Sequence, residues 1–248
     1  MKRPQGQLCV YCPDQARTCD HVFAKKFFLP ARRVNPRLPQ VPACERCNRN
    51  KRDLEAYLMT VLPFGGQHRD ALDNLQTMVP PRLAGNKKLH RALAQNASEV
   101  LTLTRFGLRP TMSLPIEWEK LLKLFEYVVR GLMFFHWRVR LTSEHCWYVA
   151  PSHSVPGFDR LLDDWIRGAA KARASRNLGN GTFLYEGVQA TDNDALSAWR
   201  FSIYGGLKVA DDAGETILQL GALTGPRRMF EKADPPIGWL EDLQQQAR

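Results

Sequence analysis

Cys9-Val-Tyr-Cys12, then Asp20-His21-Val22, then Val41-Pro-Ala-Cys44-Glu-Arg-Cys47-Asn48-Arg-Asn-Lys51: these three pieces decide how the first quarter of the chain folds. Each Cys-x-x-Cys offers two thiolates from one short loop, and two such knuckles close a tetrahedral site with four soft ligands. Zinc on Cys9, Cys12, Cys44 and Cys47 is therefore the expected staple. It is expected to be structural, because four protein ligands leave no open position for water or substrate. The 31 residues between Cys12 and Cys44 exceed the spacing of about 15–20 in a zinc ribbon, so the insertion must carry structure of its own. The competing readings are four unrelated buried cysteines or a thioredoxin-like redox pair. Against the second, neither Cys-x-x-Cys follows a strand in a βαβ pattern.

Charge surrounds these knuckles. The 248-residue chain carries a net charge of +10, and a polyanionic partner suits such a balance. Residues 1–60 hold twelve Lys and Arg against five Asp and Glu, a balance of +7, so the excess is concentrated there. The N-terminus is charged and no apolar h-region follows it, which points to the cytoplasm. In that reducing compartment six cysteines read as metal ligands or thiols before disulfides.

Outward from the knuckles, residues 53–61 have the pattern of a helix, and 86–99 of a short one. The spacing of Trp118, Leu121, Leu122, Phe125, Val128, Val129, Leu132 and Met133 predicts a long helix over 115–139. Phe158, Leu161, Leu162, Trp165, Ile166 and Ala169 predict another over 157–174. Strand patterns cover 146–150, 182–187, 198–204 and 216–220. In the third, Trp199, Phe201 and Ile203 alternate with polar neighbours and read as core. The expected fold class is α+β. A small zinc-stapled ββα module over residues 1–60 precedes an α+β region over 61–248, with long helices and a largely antiparallel sheet.

The stretch CVYC…RTCDHVFAKKFFLP…LPQVPACERCNRNK resembles HNH endonucleases of the zinc-containing His-Me finger (ββα-metal) group, over about residues 8–55. The resemblance implies a treble-clef-like nuclease module that hydrolyses phosphodiester bonds of nucleic acid, DNA ahead of RNA. It implies that His21 is the general base, since a neutral imidazole accepts protons near pH 7. It implies that Asp20 and Asn48 hold a catalytic divalent ion, Mg²⁺ or a similar hard cation. Lys25, Lys26, Arg32, Arg33, Arg49, Lys51 and Arg52 are the expected phosphate contacts. Because neighbours on a strand point opposite ways, a bend must bring Asp20 and His21 into one cleft.

Two departures from that pattern stand out. Where the family carries an Asn that orients the histidine, about five residues before the second knuckle, this chain has Pro39, and Asn35 is out of register. Phe23-Ala24 follows Val22 where a Pro is usual. The rival reading is a zinc-stapled module that binds nucleic acid without cutting it; a scaffold docking through its basic face is a third. Cys19 reads as a small buried thiol and His136 as a core-edge histidine. His145 with His153, and Asp211 and Asp212 with Glu215, do not form sites on spacing alone.

Overall fold

The computed structural model describes residues 4, 6–33, 38–104, 107–114, 116–152, 157–211 and 214–231. Asn35, Arg37, Pro115, His153 and Asp212 lie outside them. The chain opens with the first knuckle and strand β1 (Thr18–His21). Two short 3₁₀ turns, Lys25–Phe27 and Pro30–Arg32, lead to strand β2 (Gln40–Ala43) and helix α1 (Glu45–Gly65). Three shorter helices follow: α2 (Arg69–Thr77), α3 (Val79–Gly85) and α4 (Lys87–Asn96). Next come the hairpin β3 (Ser98–Thr104) and β4 (Gly107–Ser113) and the long helix α5 (Trp118–Trp137). The last part runs β5 (His145–Pro151), α6 (Phe158–Arg167), β6 (Ala172–Leu178), β7 (Phe183–Gln189), β8 (Ser197–Ile203), β9 (Leu207–Asp211), β10 (Gly214–Leu218), β11 (Leu220–Pro226) and α7 (Arg227–Glu231).

The class is α+β, with antiparallel pairing in every sheet. The largest sheet has the order β5-β11-β8-β7-β6. Strand β8 alternates as its sequence demands: Trp199, Phe201 and Ile203 enter the core shared with α5, while Ala198 faces Phe158 and Leu162 of α6. Helix α5 buries Leu121, Leu124, Phe125, Val128, Val129, Leu132 and Met133 along one stripe. His136 sits at the core edge, its ring nitrogen 2.9 Å from the Tyr185 hydroxyl. Burial, then the Arg176 charge, push its pKa down to about 4. His145 closes a turn by accepting from the Thr142 N–H at 3.1 Å.

Several boundaries differ from the sequence reading, each for a local reason. Helix α1 starts at Glu45, well before 53, because the Cys44 sulfur accepts the Cys47 N–H and caps the first turn. The helix expected over 157–174 stops at Arg167. Gly168 ends it, and residues from Ala172 onward pair with β7 as a strand in which Ala174 and Leu178 are buried. The strand expected over 216–220 is two strands broken at Gln219. The β3–β4 ribbon, which pairs with no other described strand, was not signalled by periodicity.

The expected boundary at residue 60 falls inside α1, and one apolar core runs from Val10 and Val22 through α5 to β7 and β8. Phe23 and Phe183 stack with centroids 4.0 Å apart, and Phe27 stacks on Phe23 at 4.3 Å. Burying a Phe contributes about 1.5–3 kcal/mol, so this stack alone ties the N-terminal segment to the sheet.

Gly131 lets α5 approach that segment. A Cβ there would lie 2.9 Å from Val22 Cγ2 and 3.2 Å from the Tyr11 hydroxyl. Gly131→Val is expected to lower stability by about 1–3 kcal/mol through overpacking, despite better helix propensity. A urea unfolding midpoint equal to that of the parent would show that α5 does not press on Val22 and Tyr11.

Candidate functional site

Both knuckles follow from backbone hydrogen bonds aimed at sulfur. The Tyr11 N–H donates to Cys9 Sγ and the Cys47 N–H to Cys44 Sγ, each at 3.4 Å. The Val10 N–H donates to the Pro42 carbonyl at 3.0 Å and brings the first knuckle beside β2. The four sulfurs of Cys9, Cys12, Cys44 and Cys47 lie within 4.8 Å of one another, and Cys12 Sγ is 3.5 Å from Cys44 Sγ. Zinc–sulfur bonds of about 2.3 Å give a tetrahedron with edges of about 3.8 Å, so the donor set fits one ion such as zinc. Burial alone would raise the Cys44 thiol pKa. The Cys47 N–H and the neighbouring thiols outweigh it and bring the value below the ordinary one. Among the described residues this is the one cluster of three or more Cys, His, Asp or Glu placed to hold a metal. Cys19 is not part of it.

Two arginines from the later chain grip the first knuckle from behind. Arg140 donates to the Cys9 and Cys12 carbonyls, both at 3.0 Å, and Arg130 donates to the Tyr11 carbonyl at 2.6 Å. Arg130 also lies over the Trp147 ring, 4.3 Å from its centroid. Nothing in the local motif marks Arg130 or Arg140, which lie over a hundred residues downstream.

Strand β1 turns Thr18 and Asp20 toward α1, where Asn48, Lys51 and Glu55 share one face. The Asn48 amide N–H donates to Thr18 Oγ1 at 3.0 Å. Asp20 is 5% exposed and Lys51 is 0% exposed. The Lys51 ammonium touches four oxygens: Asp20 Oδ2 at 3.1 Å, Asp20 Oδ1 at 3.3 Å, Glu55 Oε1 at 2.6 Å and the His21 carbonyl at 2.6 Å. The Tyr11 hydroxyl donates to Asp20 Oδ2 at 2.7 Å. Burial lowers the Lys51 pKa, but the Asp20 and Glu55 charges outweigh it and the ammonium is held. Tyr11 and Glu55 escaped the sequence reading. Glu55 stands four residues after Lys51, a spacing that ordinarily marks a solvent-side pair.

His21 ends β1, half-buried and opposite Gln40 across the ladder. Its Nε2 lies 2.5 Å from the Gln40 side-chain amide. Burial first, then the charges of Lys25 and Lys51, outweigh Asp20 and lower its pKa. The ring is therefore neutral at pH 7.

The expected site thus separates into parts. Asn48 lies in the first turn of α1 and Asp20 on β1 beside it, but Asp20 is nearly buried and gives both oxygens to Tyr11 and Lys51. As arranged, the pair does not fit a divalent ion. Lys51, expected at a phosphate, is corrected to a buried counter-ion, because two carboxylates hold it inside. Arg33 is likewise spent on the Lys25 and Phe28 carbonyls, at 3.1 and 2.9 Å. Arg32 pairs with the buried Asp70 at 3.4 Å while staying partly exposed. Lys25, Lys26, Arg49 and Arg52 are exposed. No protein-family model matches the chain, and neither does any curated protein or solved structure.

Freshly purified protein is expected to contain one zinc per chain by elemental analysis. Cys44→Ser should release it and unfold the N-terminal segment. Cys19→Ser should keep it, and zinc loss in that variant would show that the ligand set is wrong.

Proposed function

We propose that this chain is an HNH-type nuclease that binds nucleic acid, DNA ahead of RNA, and hydrolyses phosphodiester bonds with His21 as general base. The observation that carries the reading is the placement of a neutral, half-exposed imidazole. It stands at the end of the first strand of a β1–β2–α1 unit, and the four cysteines join the loop before β1 to the start of α1. The sequence resemblance to the His-Me finger group supports the same reading. Zinc is the proposed occupant of the cysteine cluster, and the reducing cytoplasm keeps those thiols available to it.

In the proposed reaction His21 takes a proton from water. The water oxygen forms a new P–O bond, the P–O bond to the leaving sugar oxygen breaks, and that oxygen takes a proton from solvent while His21 later returns its own to solvent. With the Gln40 amide turned so that its oxygen accepts the Nε2 proton, Nδ1 keeps the lone pair a base needs. Gln40 then does the work of the orienting Asn that Pro39 replaces. Lys25 and Lys26 beside His21, with Arg49 and Arg52 on the outer side of α1, supply phosphate contacts. No step is assigned to a divalent ion, because Asp20 is engaged. Assay arms with Mg²⁺, Mn²⁺ and EDTA test the metal dependence that the resemblance implies. Residues 61–248 are the proposed specificity or partner region; among the described residues no helix is long and apolar enough to cross a membrane. The engaged Asp20 and Pro39 favour, as second reading, a module that binds nucleic acid without cutting it.

The test is cleavage of plasmid, single-stranded DNA and RNA. His21→Ala should lose about 10²–10⁴-fold in rate while keeping zinc and fold. The rate should climb with pH along a limb whose midpoint lies below the ordinary histidine value of about 6.5, because the folded-state pKa is lowered. Equal cutting by parent and variant would remove His21 from the reaction. A parent inert with every metal, yet still binding nucleic acid, would establish the second reading.

Binding should weaken steeply with salt as phosphates displace counterions. Reversing Lys25 and Lys26 to Glu should weaken binding to all sequences alike, whereas an affinity flat from low to high ionic strength would exclude phosphate contacts by this face.

A further inference from the structure

Asp20, Glu55 and the His21 carbonyl make a pocket of hard oxygen donors around a single point, and that point holds the Lys51 ammonium. The donors are of the type that binds Mg²⁺ or Mn²⁺. Two carboxylates buried together need a cation, since an unpaired buried charge is heavily penalised. The Tyr11 hydroxyl satisfies a further lone pair of Asp20, and no atom of Lys51 is exposed. The pocket is therefore complete without an ion from solvent. We propose that Lys51 is the resident cation of the Asp20–Glu55 pocket and keeps divalent ions out of it. The chain's own ammonium takes the place at Asp20 that a metal ion would otherwise fill, which also ties α1 to β1 through the His21 carbonyl. This holds whether or not the chain cuts nucleic acid.

The test uses the full zinc-loaded chain with Mn²⁺ as probe, followed by electron paramagnetic resonance. Wild type and Asp20→Asn should bind Mn²⁺ alike. Lys51→Ala should gain one site tighter by about tenfold or more, because a like charge has left a shielded pocket. That gain should vanish in Lys51→Ala combined with Asp20→Asn. Lys51→Ser, and Lys51→Ala with Glu55→Gln, serve if the two bare carboxylates prevent folding; zinc content and circular dichroism report the fold. A wild-type Mn²⁺ site abolished by Asp20→Asn would overturn the proposal, and that comparison needs no Lys51 variant. A folded Lys51→Ala chain with no new site would overturn it too. Cleavage measured alongside keeps the two readings apart: loss of activity in His21→Ala bears on the nuclease, whereas Mn²⁺ occupancy bears only on Lys51.

Discussion

Four sulfur atoms from two loops 31 residues apart have to meet at one point, and the N-terminal part of the chain is arranged around that requirement. The Val10 N–H bond to the Pro42 carbonyl and the Arg17 N–H bond to the Ala43 carbonyl bring the knuckle at Cys9–Cys12 to the second. The second knuckle doubles as the cap of α1, so the position of the sulfurs fixes where that helix begins and how it is directed. Once α1 is aimed, its inward face at 48, 51 and 55 has to meet the inward face of β1 at 18 and 20. Thr18–Asn48 and Asp20–Lys51–Glu55 are the result. A metal ion held by these four sulfurs would act as a hydrophobic core does in a larger domain, setting register between elements too short to set their own.

The segment does not stand alone even so. Its knuckle carbonyls are capped by Arg130 and Arg140, and its Phe23 and Phe27 are stacked into the core of the sheet. The loop from 25 to 33 is held by the later chain as well. Tyr204 and Asn74 both donate to the Phe27 carbonyl, and Arg32 meets Asp70. The basic loop beside His21 is thereby presented on a packed support, which would suit the phosphate contacts proposed for it. A loop free to move would lose conformational entropy on each encounter.

The sequence disclosed what repeats at short range. The stripe of α5, the alternation of β8 and the pairing of the two knuckles are all periodic patterns of apolar or sulfur-bearing residues, and each lies where its period says. Residues 168–174 misled because Ala169 extends the apolar stripe by one turn; what stops the helix is Gly168, and what makes a strand of 172–178 is a partner, β7, that local sequence does not display. The same distinction runs through the site. Asp20, His21 and Asn48 could be picked out as neighbours of the knuckles, but their partners could not. Nothing in the spacing of the two cysteines marks Tyr11 as a partner of Asp20, and Gln40 sits opposite His21 only because β1 and β2 pair in that register.

Charge was the least legible property. Seven basic residues were expected to face phosphate, and as a class they have one sign and one set of donors. The fold divides them by what lies beneath each one. Lys25, Lys26, Arg49 and Arg52 emerge at the surface, while Arg33 is drawn onto backbone carbonyls and Lys51 onto two buried carboxylates. A lysine can be buried whole only where acids are already buried, since an isolated ammonium would give up its proton before giving up water. The acids that hold Lys51, at positions 20 and 55, are two of only five in the first sixty residues. Enclosing two of them with one ammonium takes more negative than positive charge out of reach of solvent. The surface that remains is more basic, residue for residue, than the composition of the segment implies.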